Sequence, residues 1–176
     1  MKNRNLIITK CEDISKQMRK NVIKLAFNAG TNGAHIAPSL SLIELVAVLY
    51  GGIFNYDTKN PHWGKRDRFI LSKGHGALGW YTALESSGII TTKQLYSFEQ
   101  NDGFFPGQPS KNIDLGIEFS SGSLGLGLSY GVGLALASRK QNLDYNTYVL
   151  LGDGECNEGT VWEAAMSAVH NKLSNL

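Results

Sequence analysis

What is scarce in this chain narrows its possible roles. Only two cysteines, Cys11 and Cys156, occur in 176 residues, too few for the disulfide framework of a small secreted domain. The amino terminus offers only Leu6-Ile7-Ile8 as an apolar run, too short for the core of a secretory signal. No stretch reaches the eighteen or so consecutive apolar residues of a membrane span, and Glu44 interrupts the nearest approach. Charged residues make up 18% of the chain, its formal net charge is +2, and its Lys and Arg are scattered. Nothing here argues for a nucleic-acid partner. The expectation is a soluble, cytoplasmic protein with neither membrane nor nucleic acid as partner. The length is that of one domain with its own core.

Glycine, by contrast, is plentiful: the twenty glycines exceed average usage. They gather at the ends of apolar runs, where tight turns and close backbone approaches are needed. The clearest case lies near the carboxyl end. Tyr148-Val149-Leu150-Leu151 reads as a buried parallel strand, Gly152-Asp153-Gly154 stops it, and a helix follows from about Thr160. On that helix Trp162, Met166, Val169 and Leu173 fall on one apolar face. A carboxylate between glycines at the carboxyl end of a strand is where an open α/β sheet binds its ligand. Asp153 offers the hard oxygen that magnesium takes alongside phosphate oxygens and water. By itself Gly-Asp-Gly is also what a plain turn looks like. Cys156, inside the same string, reads as a small buried filler or a reactive thiol.

Upstream, Ile14, Met18, Val22 and Leu25 predict an amphipathic helix over about 12–28. Ser41 with Glu44 suggests a capping box opening a helix that ends at Gly51-Gly52. His35 then lies on a loop between helices, a usual place for functional side chains, though a loop histidine bonded to backbone is the plainer alternative. Phe69-Ile70-Leu71 predicts a strand, followed by Ser72-Lys73-Gly74-His75-Gly76 and a helix carrying Leu78, Tyr81 and Leu84. Thr91 and Gln94 form a second capping box. The alternation of Ile113, Leu115, Ile117 and Phe119 suggests a strand, and a small-residue helix follows Gly122–Leu128. Strands near 69–71 and 148–151 joined by helices imply right-handed crossovers and a doubly wound, mostly parallel α/β sheet with helices on both faces.

Four blocks of this sequence, in order, resemble the transketolase family of thiamine diphosphate enzymes: GAHIAPSLSLIELVAVLY, DRFILSKGHGALGWY, the Gly122–Leu128 segment, and GDGECNEGTVWEA. The resemblance implies the diphosphate-binding domain of that fold, spanning 1–176 and incomplete at its carboxyl end. Its implied cofactors are thiamine diphosphate and Mg2+. By matching position, His35 and His75 become catalytic residues, His35 also reaching the sugar. His75, Gly122, Ser123, Leu124, Asp153, Gly154 and Glu155 become cofactor-binding residues, and Asp153 the metal ligand. His35, His75, Gly122 and Asp153 would then converge on one cleft. Departures also stand out. Gln108 occupies a substrate-binding position where the family commonly has histidine, and a Gln cannot carry a proton as imidazole does. Ser123 and Leu126 replace Pro and Gln.

In the family the second metal ligand is an Asn after the next strand, placed here beyond about residue 180. Neither Asn171 nor Asn175 can then be that ligand. The activating glutamate belongs to a pyrimidine domain that the sequence does not contain. The resemblance therefore implies ketol transfer between sugars or sugar phosphates by a dimerising enzyme. It needs a second, carboxyl-terminal chain, and the 176-residue chain alone is inactive. Two alternatives stay open: a thiamine enzyme of the 2-oxo acid dehydrogenase class, and a truncated fragment without catalytic competence.

Overall fold

The computed structural model describes residues 2–176, and its packing divides them into two compact units. The first unit comprises residues up to 54 together with 75–108; the second comprises 55–74 and 109–176. Each unit is thus built from two separate stretches of the chain.

The first unit is helical. Helix α1 runs Lys2–Ala29, starting well before the apolar stripe suggests, because no Gly or Pro interrupts the preceding polar turns. Met18, Val22 and Leu25 are buried on it. Helices α2 (Ile36–Leu40) and α3 (Ile43–Val48) follow, then one wide π turn over Leu49–Ile53. Together Ile36–Ile53 have the length and apolarity of a membrane span, yet Ser41 and Leu42 break the helix and Leu42, Ile43, Val46 and Tyr50 lie in the core. The expected capping box at Ser41 does not form. Ser41 ends α2 with its hydroxyl donating to the Pro38 carbonyl at 2.9 Å, and the Glu44 carboxylate pairs with Arg19 of α1.

Helix α4 (Ala77–Ser86) is buried on nearly all sides, as an apolar helix without a polar face must be. Gly79 makes this possible, since a β-carbon there would stand 2.5 Å from the Ser39 carbonyl oxygen. The Trp80 indole donates to the Tyr50 hydroxyl at 2.9 Å, so this large buried ring keeps its polar atom paired. Helix α5 (Thr92–Leu95) opens with the expected capping box between Thr91 and Gln94.

The second unit is α/β. Strands β1 (Arg68–Leu71) and β2 (Thr147–Leu150) pair in parallel, Arg68 opposite Thr147 and Leu71 opposite Leu150. The parallel α/β class expected from the strand and helix order is what forms. Helix α6 (Gly127–Lys140) packs on both strands and on α7 (Gly159–His170). Gly131 lets α6 approach, because a β-carbon would come within 2.5 Å of Val149.

Two expectations fail here for visible reasons. The segment 113–119 is not a strand: Ile113–Leu115 form a short helical turn, and Gly116 at φ 69° reverses the chain. Asn112 and Ile117 then exchange backbone hydrogen bonds at 2.9 Å. Glu118, which alternation would put outside, is buried and paired with buried Arg66. On α7 the small face turns inward. Val161 and Ala164 are buried, Ala164 packing with Val132, Ala135 and Leu173, while Trp162, Met166 and Val169 are 63%, 65% and 78% exposed. Small side chains on both α6 and α7 bring the two backbones closer than Trp and Met would allow. Leu173 leaves the shared stripe because it lies past the end of the helix, after Lys172 at φ 52°.

Candidate functional site

Candidate site residues occur in each unit. In the first, Gly33 at φ 76° leads the chain into His35, the residue before α2. The His35 ring meets the His75 ring edge to face, with centroids 4.8 Å apart. The structure thus brings together two histidines forty residues apart in sequence. His35 also lines a cleft of about 440 Å³ with Asn32, Gly33, Ala34, Glu99, Gly107 and Gln108. The two positions expected to bind the sugar, His35 and Gln108, therefore share one cleft. The Gln108 Oε1 is buried without a hydrogen-bond partner among the described residues.

Sequence patterns give no sign of Glu99, yet it stands on the wall of this cleft. Its backbone is left-handed, at φ 52°, an uncommon state for a residue with a side chain. Two bonds hold it there: its N–H donates to the Phe105 carbonyl at 3.0 Å, and its carbonyl accepts from Asn32 Nδ2 at 2.7 Å. Burial, and then the Glu99 charge, push the nearby Tyr81 hydroxyl well above the ordinary phenol range.

In the second unit the chemistry gathers at the carboxyl ends of both strands. Asp153 follows β2 and is exposed. Gly154 beside it has open space where a β-carbon would be. Glu155, implied as a cofactor-binding residue, is turned inward at 2% exposure. One carboxylate oxygen accepts from the Ser72 hydroxyl and from the Gly125 N–H at 2.9 Å; the other accepts from the Gly152 N–H at 2.9 Å. Glu155 thereby ties the end of β1, the glycine segment before α6 and the end of β2 into one knot.

The glycines of that segment are required by the same packing. Gly125 sits at φ 82°, and a β-carbon would lie 2.6 Å from Thr160 Oγ1. That hydroxyl donates to the Gly125 carbonyl at 2.9 Å. Gly127 donates its N–H to Ser72 Oγ at 3.1 Å, and any side chain there would collide with Ser72. Of the other implied cofactor residues, Gly122 and Leu124 are half-buried and Ser123 is exposed on the same segment.

Lys73 also belongs to this region. Burial lowers its ammonium below the ordinary lysine value, while Asp153 and Glu155 draw it back up. Among the described residues, no three His, Cys, Asp or Glu side chains gather as a metal cage. Asp153, exposed beside Gly154, is a carboxylate that could hold magnesium with phosphate and water completing the shell. Asn171 and Asn175 are occupied: their side-chain amides donate to the Ser167 carbonyl, and to those of Ala135 and Tyr145. Cys11 is buried and Cys156 half-buried, both free thiols.

Comparison with known proteins bears on both units. Residues 14–176 match the family described as transketolase, thiamine diphosphate binding domain. The chain is 40% identical over 172 residues to an apulose-4-phosphate transketolase subunit of Actinobacillus succinogenes, covering 98% of this chain and 62% of that protein. It is 39% identical over 168 residues to a 6-deoxy-6-sulfo-D-fructose transketolase subunit of a Clostridium species, covering 94% and 61% respectively. The chain thus spans about three fifths of the length of these relatives. Among solved structures, the transketolase of Leishmania mexicana superposes with a TM-score of 0.87 at 30% identity, covering 94% of this chain and 26% of that one.

Proposed function

Because this chain belongs to the transketolase family, through the thiamine diphosphate binding domain, we propose that it contributes the diphosphate-binding part of an enzyme transferring a two-carbon ketol unit between sugars or sugar phosphates. The observation that carries this reading is the Glu155 knot. It draws the ends of β1 and β2 and the glycine segment together, and leaves Asp153 and Gly154 open beside it. Asp153 would hold Mg2+, and the N–H groups and open space around Gly154 suit an anion's close approach. Lys73 adds a cation on the same side. When bound, thiamine diphosphate supplies the nucleophilic carbon for breaking and re-forming a ketose carbon–carbon bond.

The chain's own residues supply orientation and proton handling. In the first-unit cleft His35, supported by the His75 ring, donates or accepts a proton at a sugar hydroxyl, imidazole being suited to both near neutral pH. Gln108 holds the sugar by hydrogen bonds without exchanging protons. Gly122 and Asp153 of the second unit are assigned to the cofactor, as is His75 of the first. Relatives in Actinobacillus succinogenes and Phocaeicola vulgatus are each named as one subunit of a transketolase, which supports a second chain bearing the pyrimidine domain and its activating glutamate. The family match favours ketol transfer over 2-oxo acid dehydrogenase chemistry. A cytoplasmic enzyme, dimerised through both chains, completes the proposal.

Calorimetry with thiamine diphosphate and Mg2+, with and without a co-expressed second subunit, tests this reading alongside a ketol-transfer assay. Weak binding and no turnover by the chain alone, and tight binding with turnover by the pair, are expected. Turnover by the 176-residue chain alone would overturn the two-chain assignment. Absence of cofactor binding in both preparations would overturn the assignment as a whole.

A further inference from the structure

The first-unit cleft has a chemical character that its histidine does not explain. Glu99 and Gln108 both line it. The Glu99 carboxylate is seated against Gly107, where a β-carbon would lie 2.9 Å from Oε1, and Gly107 directly precedes Gln108. Among the described residues no hydrogen-bond donor or cation pairs with the Glu99 carboxylate, and none reaches Gln108 Oε1. Among the described residues, no lysine or arginine lines the cleft. The left-handed backbone of Glu99, pinned by Phe105 and Asn32, carries a conformational cost of about 1 kcal/mol or more. Such strain persists where surrounding structure enforces it, and it clusters at ligand sites.

We propose that Glu99 is a specificity-determining residue, which accepts hydrogen bonds from the hydroxyl groups at the neutral, polyhydroxylated end of a sugar and keeps phosphate out of this cleft. The chemistry is direct. An ionised carboxylate only accepts hydrogen bonds, so it calls for a ligand with O–H donors. A phosphate presents acceptors and negative charge, and beside an unpaired carboxylate it is repelled. The anionic end of a phosphorylated substrate must therefore lie outside this cleft. Gly107 is what leaves room for the carboxylate next to Gln108. This inference rests on the sugar-binding reading above, but it concerns binding in one cleft rather than turnover.

The test is a titration of the ¹⁵N-labelled full chain, followed by NMR, with xylitol as the neutral polyol and with inorganic phosphate. Xylitol is expected to shift the amides of Asn32, His35, Glu99 and Gln108, and phosphate to leave them unmoved. Glu99→Gln keeps the shape and removes the charge, and should weaken xylitol binding by about tenfold or more, the value of a charge-assisted hydrogen bond. Glu99→Lys should admit phosphate to the same amides. Glu99→Asn, a residue that tolerates the left-handed backbone, keeps the test open if Lys disrupts the fold. Phosphate shifting these amides in the wild-type chain would overturn the proposal, as would undiminished xylitol binding by the Gln variant or no xylitol effect at all. Xylitol binding here, in a reconstituted enzyme without ketol transfer, would instead count against the activity and leave the Glu99 assignment standing.

Discussion

The two units hold their functional groups by opposite means. In the first, the core is apolar and aromatic: Met18, Leu25, Leu42, Trp80, Tyr81, Leu84 and Phe98 are almost fully enclosed, and the histidines and Glu99 sit on loops at its margin. In the second, charge is part of the core. Arg66 pairs with Glu118, both nearly inaccessible, and Arg68 stands 3.8 Å from the same carboxylate. The buried Asp67 carboxylate accepts from the Asn55 and Asn146 N–H groups, at 2.9 and 2.8 Å, joining segments at the two strand starts. Glu155 does the same at the strand ends. An apolar core tolerates shifts of a side chain at moderate cost, whereas a buried carboxylate is stable only where its donors stand. The second unit is therefore built to hold backbone N–H groups in fixed places, which is what a diphosphate site needs. The first supports its cleft from the margin of an apolar core.

Breaking that comparison at its strongest point should give the largest effect. Glu118→Ala leaves buried Arg66 without its partner and should cost about 3–5 kcal/mol in urea unfolding. The double variant Arg66→Met/Glu118→Leu should recover most of that loss, because an apolar pair replaces the ion pair. A double variant as unstable as the single one would show that the charges are required for the fold itself.

Next in size is a contrast between neighbours. Glu155→Gln should lower stability by about 1–3 kcal/mol, since an amide cannot accept at all three donors as the carboxylate does. Asp153→Asn, at an exposed position, should stay within about 0.5 kcal/mol of the wild type. Magnesium-dependent binding of thiamine diphosphate, measured in the reconstituted pair, should nevertheless fall by about tenfold or more with Asp153→Asn. Equal stability losses at 153 and 155 would erase the distinction between holding the turn and holding the metal.

The smallest effect is electrostatic. Burial lowers the Lys73 ammonium and Asp153 raises it, so Asp153→Asn should move the Lys73 titration, followed by NMR at its ε-carbon, to lower pH. Because the unfolded chain holds that proton more tightly, Lys73 adds stability as pH rises through its folded pKa. An upward shift in the variant would refute the coupling.

What can be read from the sequence is what local patterns decide. The Thr91–Gln94 cap, both strands, α6 and the position of Asp153 after β2 depend on residues within a few places of one another. The misreadings have distant or competing causes. Ser41 looks like a cap because nothing nearby shows that Glu44 is drawn to Arg19, 25 residues earlier. The alternation at 113–119 is overridden by one left-handed glycine. On α7 the large apolar residues look inward-facing, but the small face packs more closely. At the site, the Glu155 knot leaves no local sign because two of its donors, Ser72 and Gly125, lie 83 and 30 residues away. Glu99 leaves no pattern at all, since its position depends on a backbone conformation that no local motif announces.

The parallel pairing of β1 with β2 also sets a schedule for synthesis. The Asp67–Asn146 bond that brackets the pair spans 79 residues, and no hairpin can shorten a parallel connection. At ribosomal rates of about 5–20 residues per second, β1 waits roughly 4–16 s before its partner has been made. Through that interval Phe69, Ile70 and Leu71 form an unpaired apolar strand on a nascent chain, the kind of segment that associates wrongly or engages a chaperone. The first unit has all of its residues by Gln108, so it can condense while the second is still waiting for β2.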